Sequence, residues 1–190
     1  MNKLIQIALV GMALSQLHGC AAVAVGGAAA GTSVALDRRT TGVVVGDQEI
    51  ELRAMNRLRE AFPQNTVKIS VTSFNRQVLL TGQVPDEAAR TRATEIVRGV
   101  PDVRTVFNEL SISGVTSYTA RANDTTITGN VKARLLRDER VQANNIKVVT
   151  EASVVYLMGL VTANEATAAT EITRTTSGVT KVVTLFETLN

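Results

Sequence analysis

The chain of 190 residues contains one cysteine, one histidine and no tryptophan, and aromatic residues make up only 3% of it. Cys20 and His18 both lie within the first twenty residues. Nucleophile arrangements of the serine–histidine or cysteine–histidine kind need a histidine, so residues 21–190 cannot form one. Zinc sites built from histidine and cysteine are excluded there for the same reason. The sequence therefore predicts a protein that is not an enzyme and that needs no metal ion or cofactor.

Neither positive nor negative charge predominates, because the net charge is only +3 and charged residues form 19% of the chain. The sequence has no glycine loop followed by Lys-Ser/Thr that would cradle a phosphate. It also lacks a basic stripe with interleaved aromatic residues. Apolar residues form 45% of the chain, which is enough to build packed cores from Val, Ile, Leu and Ala. These features predict a globular protein that does not bind nucleic acid.

The first twenty residues have the pattern of a bacterial export signal. Lys3 precedes an apolar run over residues 4–14, which is too short for a permanent membrane-spanning helix. The run ends in Leu-His-Gly-Cys at residues 17–20, which resembles a lipobox. We expect residues 1–19 to be a lipoprotein signal peptide and Cys20 to carry the acyl chains; an ordinary secretory signal with an incidental cysteine is the alternative. Because Ala21 rather than aspartate follows the cysteine, the resemblance implies a lipid anchor in the outer membrane, facing the periplasm.

The sequence beyond residue 46 repeats itself. Val78–Val84 aligns with Val155–Val161 at an offset of 77 residues, and the same offset places Ile50 on Ile127. This predicts two domains over residues 47–113 and 124–190, joined by a linker over 114–123. Residues 20–46 begin with an Ala-, Gly- and Val-rich stretch, and we interpret them as a lipidated flexible tether.

Each copy has the pattern helix, strand, strand, helix, strand. In the first copy Ile50, Ala54, Leu58 and Phe62 are four residues apart, which places them on one face of a helix. Runs rich in β-branched residues follow, and a second helix precedes the last strand. The predicted fold class is α/β (α+β), with each copy a three-stranded sheet covered on one face by two helices.

The second predicted strand of both copies contains Val-x-Leu-x-Gly-x-Val, with Gly82 and Gly159 at its centre. This motif and the later Gly-Val-x-x-Val at residues 178–182 resemble the BON domain family, the bacterial OsmY and nodulation domain. The resemblance implies a module without enzymatic activity. Two such copies behind a lipobox resemble the dual-BON outer-membrane lipoproteins, which are associated with anionic phospholipid. A glycine within a strand also indicates a bulge or a close approach of neighbouring backbone.

The first helix of the second copy carries the candidate binding site. This helix turns by 100° per residue, so its core positions lie on one side and a second set of residues lies on the opposite face. That face contains eight candidate lipid-binding residues, namely Thr126, Gly129, Asn130, Lys132, Ala133, Leu136, Arg137 and Arg140. An apolar Leu136 among cations suits an anionic membrane containing phosphatidylglycerol. In the first copy Arg59 takes the place of Leu136. The alternative is that Leu136 packs against the first copy and the cations are only solvated.

Two functions are compatible with this pattern. One is an envelope-integrity factor that binds anionic phospholipid; the other is a protein–protein scaffold that docks onto outer-membrane assembly machinery through its sheet edges. Tyr156 alternates with core residues, so it either packs across strands or forms an exposed contact. Tyr118 lies in the predicted linker, where we expect it to help dock the domains.

Overall fold

The computed structural model describes residues 37–63, 66–113 and 118–189. The predicted signal peptide and most of the predicted tether lie outside these residues. Arg38–Asn190 form one compact unit that contains two modules of the same design. Among the residues described, no helix is both long enough and apolar enough to cross a membrane.

Each module has two helices and three strands in the predicted order. The first module contains α1 (Thr41–Ala61), β1 (Lys68–Phe74), β2 (Gln77–Val84), α2 (Glu87–Arg98) and β3 (Thr105–Ile112). The second module contains α3 (Tyr118–Arg137), β4 (Ile146–Glu151), β5 (Val154–Val161), α4 (Ala163–Arg174) and β6 (Lys181–Thr188). A short 3-10 turn over Ala143–Asn145 precedes β4. Both first helices begin before the predicted domain starts at residues 47 and 124, so α1 extends into the predicted tether and α3 into the predicted linker.

The two sheets have the same topology. Their strand orders are β1-β2-β3 and β4-β5-β6. The middle strand pairs antiparallel with the strand before it, through a tight hairpin, and parallel with the last strand. The parallel pairing needs a crossover, which α2 and α4 supply. The predicted α/β class and the tandem repeat are confirmed.

Each module has its own apolar core between its helices and one face of its sheet. In the first module Ile50 and Leu58 of α1 pack with Leu80 of β2. In the second module Ile127 of α3 packs with Leu157 of β5. The positions that the helical periodicity placed on the inner face are therefore buried, because only that face of each helix meets the sheet.

The uncovered faces of the two sheets meet in a third apolar cluster. It joins Phe74 and Leu79 of the first module to Tyr156 and Met158 of the second. Successive residues of β2 and β5 point to opposite faces, so each strand supplies one module core and the contact between modules. Tyr156 is buried, and this burial raises the pKa of its hydroxyl to about 12. The alternative that Tyr156 is an exposed contact is wrong, whereas the side chain of Tyr118 lies outside the described residues.

Polar side chains surround this cluster. Glu151 of the second module accepts a hydrogen bond from Gln83 at 2.6 Å and lies 3.5 Å from the ammonium of Lys68. Glu187 accepts a hydrogen bond from the side-chain amide of Asn75 at 2.8 Å. An apolar centre with a polar rim is the usual anatomy of a stable protein interface, and it holds the modules sheet against sheet.

The two glycines within strands lie where neighbouring backbone comes close. Gly82 has a φ of 118°, and a Cβ added there would overlap the carbonyl oxygen of Lys68. A Cβ on Gly159 would lie 2.6 Å from the carbonyl oxygen of Asn145. The close backbone approach expected from the sequence is confirmed, and it accounts for glycine at both positions without any ligand.

Candidate functional site

Helix α3 exposes the face on which the candidate residues were predicted. Its core residues Ile127, Val131 and Leu135 are buried. All eight candidates are exposed to solvent, and Leu136 has 69% of its surface accessible. Leu136 therefore does not pack against the first module. An apolar side chain of this size in open solvent has no role in the core of its own module.

Arg140 differs from the prediction. Helix α3 ends at Arg137, so Arg140 lies in the turn beyond the helix. Its guanidinium donates to Asp138 at 2.8 and 2.9 Å and to Glu171 at 3.3 Å. The hydrogen bonds from Arg140 lower the pKa of Asp138 to about 2. Two carboxylates thus neutralise Arg140, and it adds no free positive charge to the helix face.

Arg134 belongs to the fold rather than to the exposed face. It donates to the carbonyl oxygen of Ile172 at 2.8 Å and to the hydroxyls of Thr175 and Thr176. These groups lie at the carboxyl end of α4, where a cation also meets the negative end of the helix dipole. Arg134 is a basic residue of α3 like Lys132 and Arg137, but its charge is directed into this cap.

Two cations remain beside Leu136. Within the described part of the chain, neither Lys132 nor Arg137 forms an ion pair with an acidic side chain. We call Lys132, Leu136 and Arg137 the α3 patch. A small groove of about 170 Å³ adjoins it, lined by Lys132, Leu136, the turn residues Ala143 and Asn144, and the edge of the module core. The patch combines unneutralised positive charge with exposed apolar surface.

The first module has a different surface at the corresponding place. The large apolar residues that α1 exposes are Val45 and Leu52, with 59% and 65% of their surface accessible. Arg53, the residue after Leu52, forms an ion pair with Glu49 that neutralises its charge. Arg59, which replaces Leu136, lies against the sulfur of Met55 at 3.0 Å. The exchange of Arg59 for Leu136 that the sequence indicated is present in the structure. Among the described residues, however, Arg57 and Arg59 of α1 also form no ion pair with an acidic side chain.

A buried aspartate in each first helix was missed in the sequence. Asp47 is 3% exposed and accepts hydrogen bonds from the backbone N–H groups of Asn75 and Arg76 at 2.8 and 2.7 Å. Asp124 accepts from the N–H groups of Ala152 and Ser153 in the same way. The repeat offset of 77 residues places Asp47 on Asp124, so the signal was present. Both carboxylates hold hairpin turns whose residues have positive φ angles, a conformation that is unfavourable without glycine.

Comparison with known proteins agrees with the fold. The BON domain model matches residues 46–114 and 123–190. The chain therefore belongs to the BON domain family, and each module is one BON domain.

The chain is also similar in sequence to several bacterial proteins. It is 37% identical over 175 residues to the outer membrane lipoprotein DolP of Haemophilus influenzae, an alignment that covers 92% of this chain and 91% of that protein. It is 33% identical to the 21 kDa hemolysin of Actinobacillus pleuropneumoniae, over 78% of this chain and 77% of that protein. It is 29% identical to the osmotically-inducible protein Y of Escherichia coli, over 70% and 67% of the two chains.

Proposed function

We propose that this protein is a non-enzymatic outer-membrane lipoprotein that binds anionic phospholipid through the α3 patch and supports the integrity of the envelope. The anchor is Cys20, which lies outside the described residues, and the similarity to an outer membrane lipoprotein over nearly the whole chain supports this placement. The observation that carries the binding proposal is the exposed Leu136 beside Lys132 and Arg137, neither of which pairs with an acidic side chain in the described part of the chain. No residue is assigned a catalytic role.

The expected affinity of the α3 patch is low. A lysine or arginine near an anionic membrane surface contributes about 1 kcal/mol, so Lys132 and Arg137 together contribute about 2 kcal/mol. Insertion of one leucine side chain adds about 1.5–2 kcal/mol. A total near 4 kcal/mol corresponds to dissociation in the millimolar range. The lipid anchor compensates for this weakness because it keeps the patch at a high effective concentration beside the membrane.

Vesicle binding by the unlipidated protein, made with Cys20→Ala, tests the proposal. We expect it to bind phosphatidylglycerol vesicles, to bind phosphatidylcholine vesicles at least tenfold more weakly, and to dissociate as salt is raised. Leu136→Asp combined with Arg137→Glu should abolish this binding without lowering the melting temperature, since both side chains are exposed.

A matched control is available in the first module. Leu52→Asp combined with Arg53→Glu makes the same chemical changes on the exposed face of α1. This control variant should bind like the parent protein. Equal loss of binding in both variants would show that the second module has no special role and that the proposed site is wrong.

A scaffold function is the second candidate. Strands β3 and β6 each lie at an edge of their sheet, and Ile112 at the end of β3 is 50% exposed. An exposed edge strand with an apolar side chain favours pairing with a strand of a partner protein. Binding to outer-membrane assembly proteins that survives the Leu136 and Arg137 changes, together with no lipid binding by the parent protein, would favour this function.

A further inference from the structure

The chain joins the described fold at two adjacent arginines, and each contacts a different module. Arg38 reaches the second module, where its guanidinium donates to both carboxylate oxygens of Glu165 at 2.7 and 2.9 Å. The same guanidinium donates to the carbonyl oxygen of Leu160 at 3.0 Å, and the Arg38 backbone N–H donates to the side chain of Asn145 at 3.1 Å. A two-pronged arginine–carboxylate pair fixes both distance and orientation. Glu165 is 7% exposed, so water competes little for this pair.

Arg39 contacts the first module. It donates to Asp47 at 2.8 Å, and its guanidinium carbon lies 3.8 Å from the centre of the Phe74 ring. Asp47 holds the hairpin of the first module, and Phe74 belongs to the cluster between the two sheets. Thr40 follows directly as the N-cap of α1. Three consecutive residues therefore contact the second module, contact the first module and cap α1.

The turn that Arg38 holds also borders the α3 patch. Arg38 contacts Gln142 at 3.3 Å and Asn145 at 3.1 Å, on either side of Ala143 and Asn144. Ala143 and Asn144 line the groove next to Leu136. Arg38, from which the chain leads back toward Cys20, thus lies close to the surface for which we propose membrane contact. Seventeen residues lie between Cys20 and Arg38, a span of at most about 65 Å when fully extended.

We propose that Arg38 and Arg39 form a clasp that fixes the membrane-anchored segment to both modules, and that Arg38 thereby presents the α3 patch to the membrane. Arg38 and Arg39 are positioning residues in this proposal, since neither belongs to the patch. The clasp holds Arg38, and with it the start of the segment that leads to Cys20, beside the turn that borders the α3 patch. The α3 patch is therefore the surface kept nearest to the lipid anchor. The presenting role rests on the proposed function, whereas the clasp itself does not.

The experiment uses the full lipidated protein in vesicles of phosphatidylethanolamine and phosphatidylglycerol. Since the only native cysteine is expected to carry lipid, an introduced cysteine is the single site for a fluorophore. One label is placed on α3 with Ala133→Cys and a matched label on α1 with Asn56→Cys; both positions are exposed. Quenching by a lipid that carries a nitroxide in its headgroup region reports which helix faces the bilayer. We expect strong quenching of the α3 label and at least threefold weaker quenching of the α1 label.

Arg38→Ala should bring the quenching of the two labels to within twofold of each other. The same substitution should change phosphatidylglycerol binding of the unlipidated protein by less than twofold, because the α3 patch is intact. Glu165→Gln is the second variant: it removes the charge but keeps a side chain that can complete the capping box with Thr162. It should act like Arg38→Ala. Unchanged label quenching in both variants overturns the presenting role, and so does an equal loss of binding by the unlipidated protein.

The clasp can be tested even if the parent protein binds no phosphatidylglycerol. The amide of Val43 donates to the backbone of Thr40 in the capped first turn of α1. If the clasp holds this turn, Arg38→Ala and Arg39→Ala should each speed hydrogen exchange of Val43 at least tenfold while exchange in β5 stays unchanged. Equal exchange of Val43 in the parent protein and in both variants would overturn the clasp. If Val43 exchanges faster in both variants but the parent protein binds no vesicles, only the lipid function is refuted.

Discussion

Asp47 is the side chain whose loss should damage the fold most clearly. Its carboxylate accepts two backbone N–H groups of the β1–β2 turn, the hydroxyl of Ser73 at 2.7 Å and the guanidinium of Arg39 at 2.8 Å. Removing one partner of a buried ion pair costs about 3–5 kcal/mol, because the remaining polar groups lose their compensation. We therefore expect Asp47→Ala to lower the free energy of unfolding by about 4 kcal/mol.

Asp124→Ala is the matched comparison. Asp124 holds the corresponding β4–β5 turn through two backbone N–H groups, at 2.9 and 2.8 Å, and has no ion pair among the described residues. Loss of two hydrogen bonds at a turn next to solvent should cost about 2 kcal/mol. In urea, with an m-value of about 2 kcal/mol per M, the midpoint of Asp47→Ala should lie about 1 M below that of Asp124→Ala.

Equilibrium urea unfolding followed by circular dichroism measures both values. Asp47→Asn is an informative third variant, since it keeps the shape but loses the charge that Arg39 faces. It should fall between the parent protein and Asp47→Ala. If Asp124→Ala is as destabilising as Asp47→Ala, then the turn alone matters, and the energetic role assigned to Arg39 and Ser73 is incorrect.

Further substitutions test the two strand glycines, the Arg38–Glu165 pair and the lipid anchor. Gly82→Ala should destabilise the protein by about 3 kcal/mol or more and Gly159→Ala by less, because only Gly82 has a positive φ in addition to the backbone overlap; thermal melting of the two variants checks the order. Hydrogen bonds from Arg38 and Thr162 lower the pKa of Glu165 from 4.5 to about 2. The stability that ionised Glu165 gives the fold is therefore complete above about pH 4.5 and is lost as the pH falls toward 2. In the Glu165→Gln variant the free energy of unfolding should depend less on pH in that window. A slope equal to that of the parent protein would contradict the role given to Glu165. Cys20→Ala should move the protein from the membrane fraction to the soluble periplasmic fraction, and unaltered fractionation would refute lipidation at Cys20.

Much of the fold could be read from the repeat and its periodicities. The offset of 77 residues predicted two modules, and the spacing of Ile50, Ala54 and Leu58 identified the buried face of α1. These features are visible in sequence because a helix or strand repeats its burial pattern along a short stretch of chain. The exposure of Leu136 could be predicted for the same reason, since its place on the helix follows from the position of the core residues.

The charge state of the α3 patch could not be predicted in this way. Arg134, Arg137 and Arg140 look equivalent in sequence, yet Arg134 caps α4 and Arg140 pairs with Glu171, which is 31 residues away. Which cation stays unpaired depends on where α4 ends in space. Helix periodicity carries no information about where α4 ends. Of the three cations predicted to bind lipid, Lys132 and Arg137 keep this role in our proposal and Arg140 does not.

The repeat and the helical periodicity are enough to predict the two modules, their order of elements and the inner face of each helix. How the modules dock becomes visible only in the folded protein, where Phe74 and Tyr156 share one cluster and Arg38 binds Glu165 at a separation of 127 residues. The two kinds of contact differ in range. Burial within a module repeats every two or four residues and leaves a periodic trace, whereas docking depends on single pairs of distant side chains whose match in shape and charge exists only once the chain has folded.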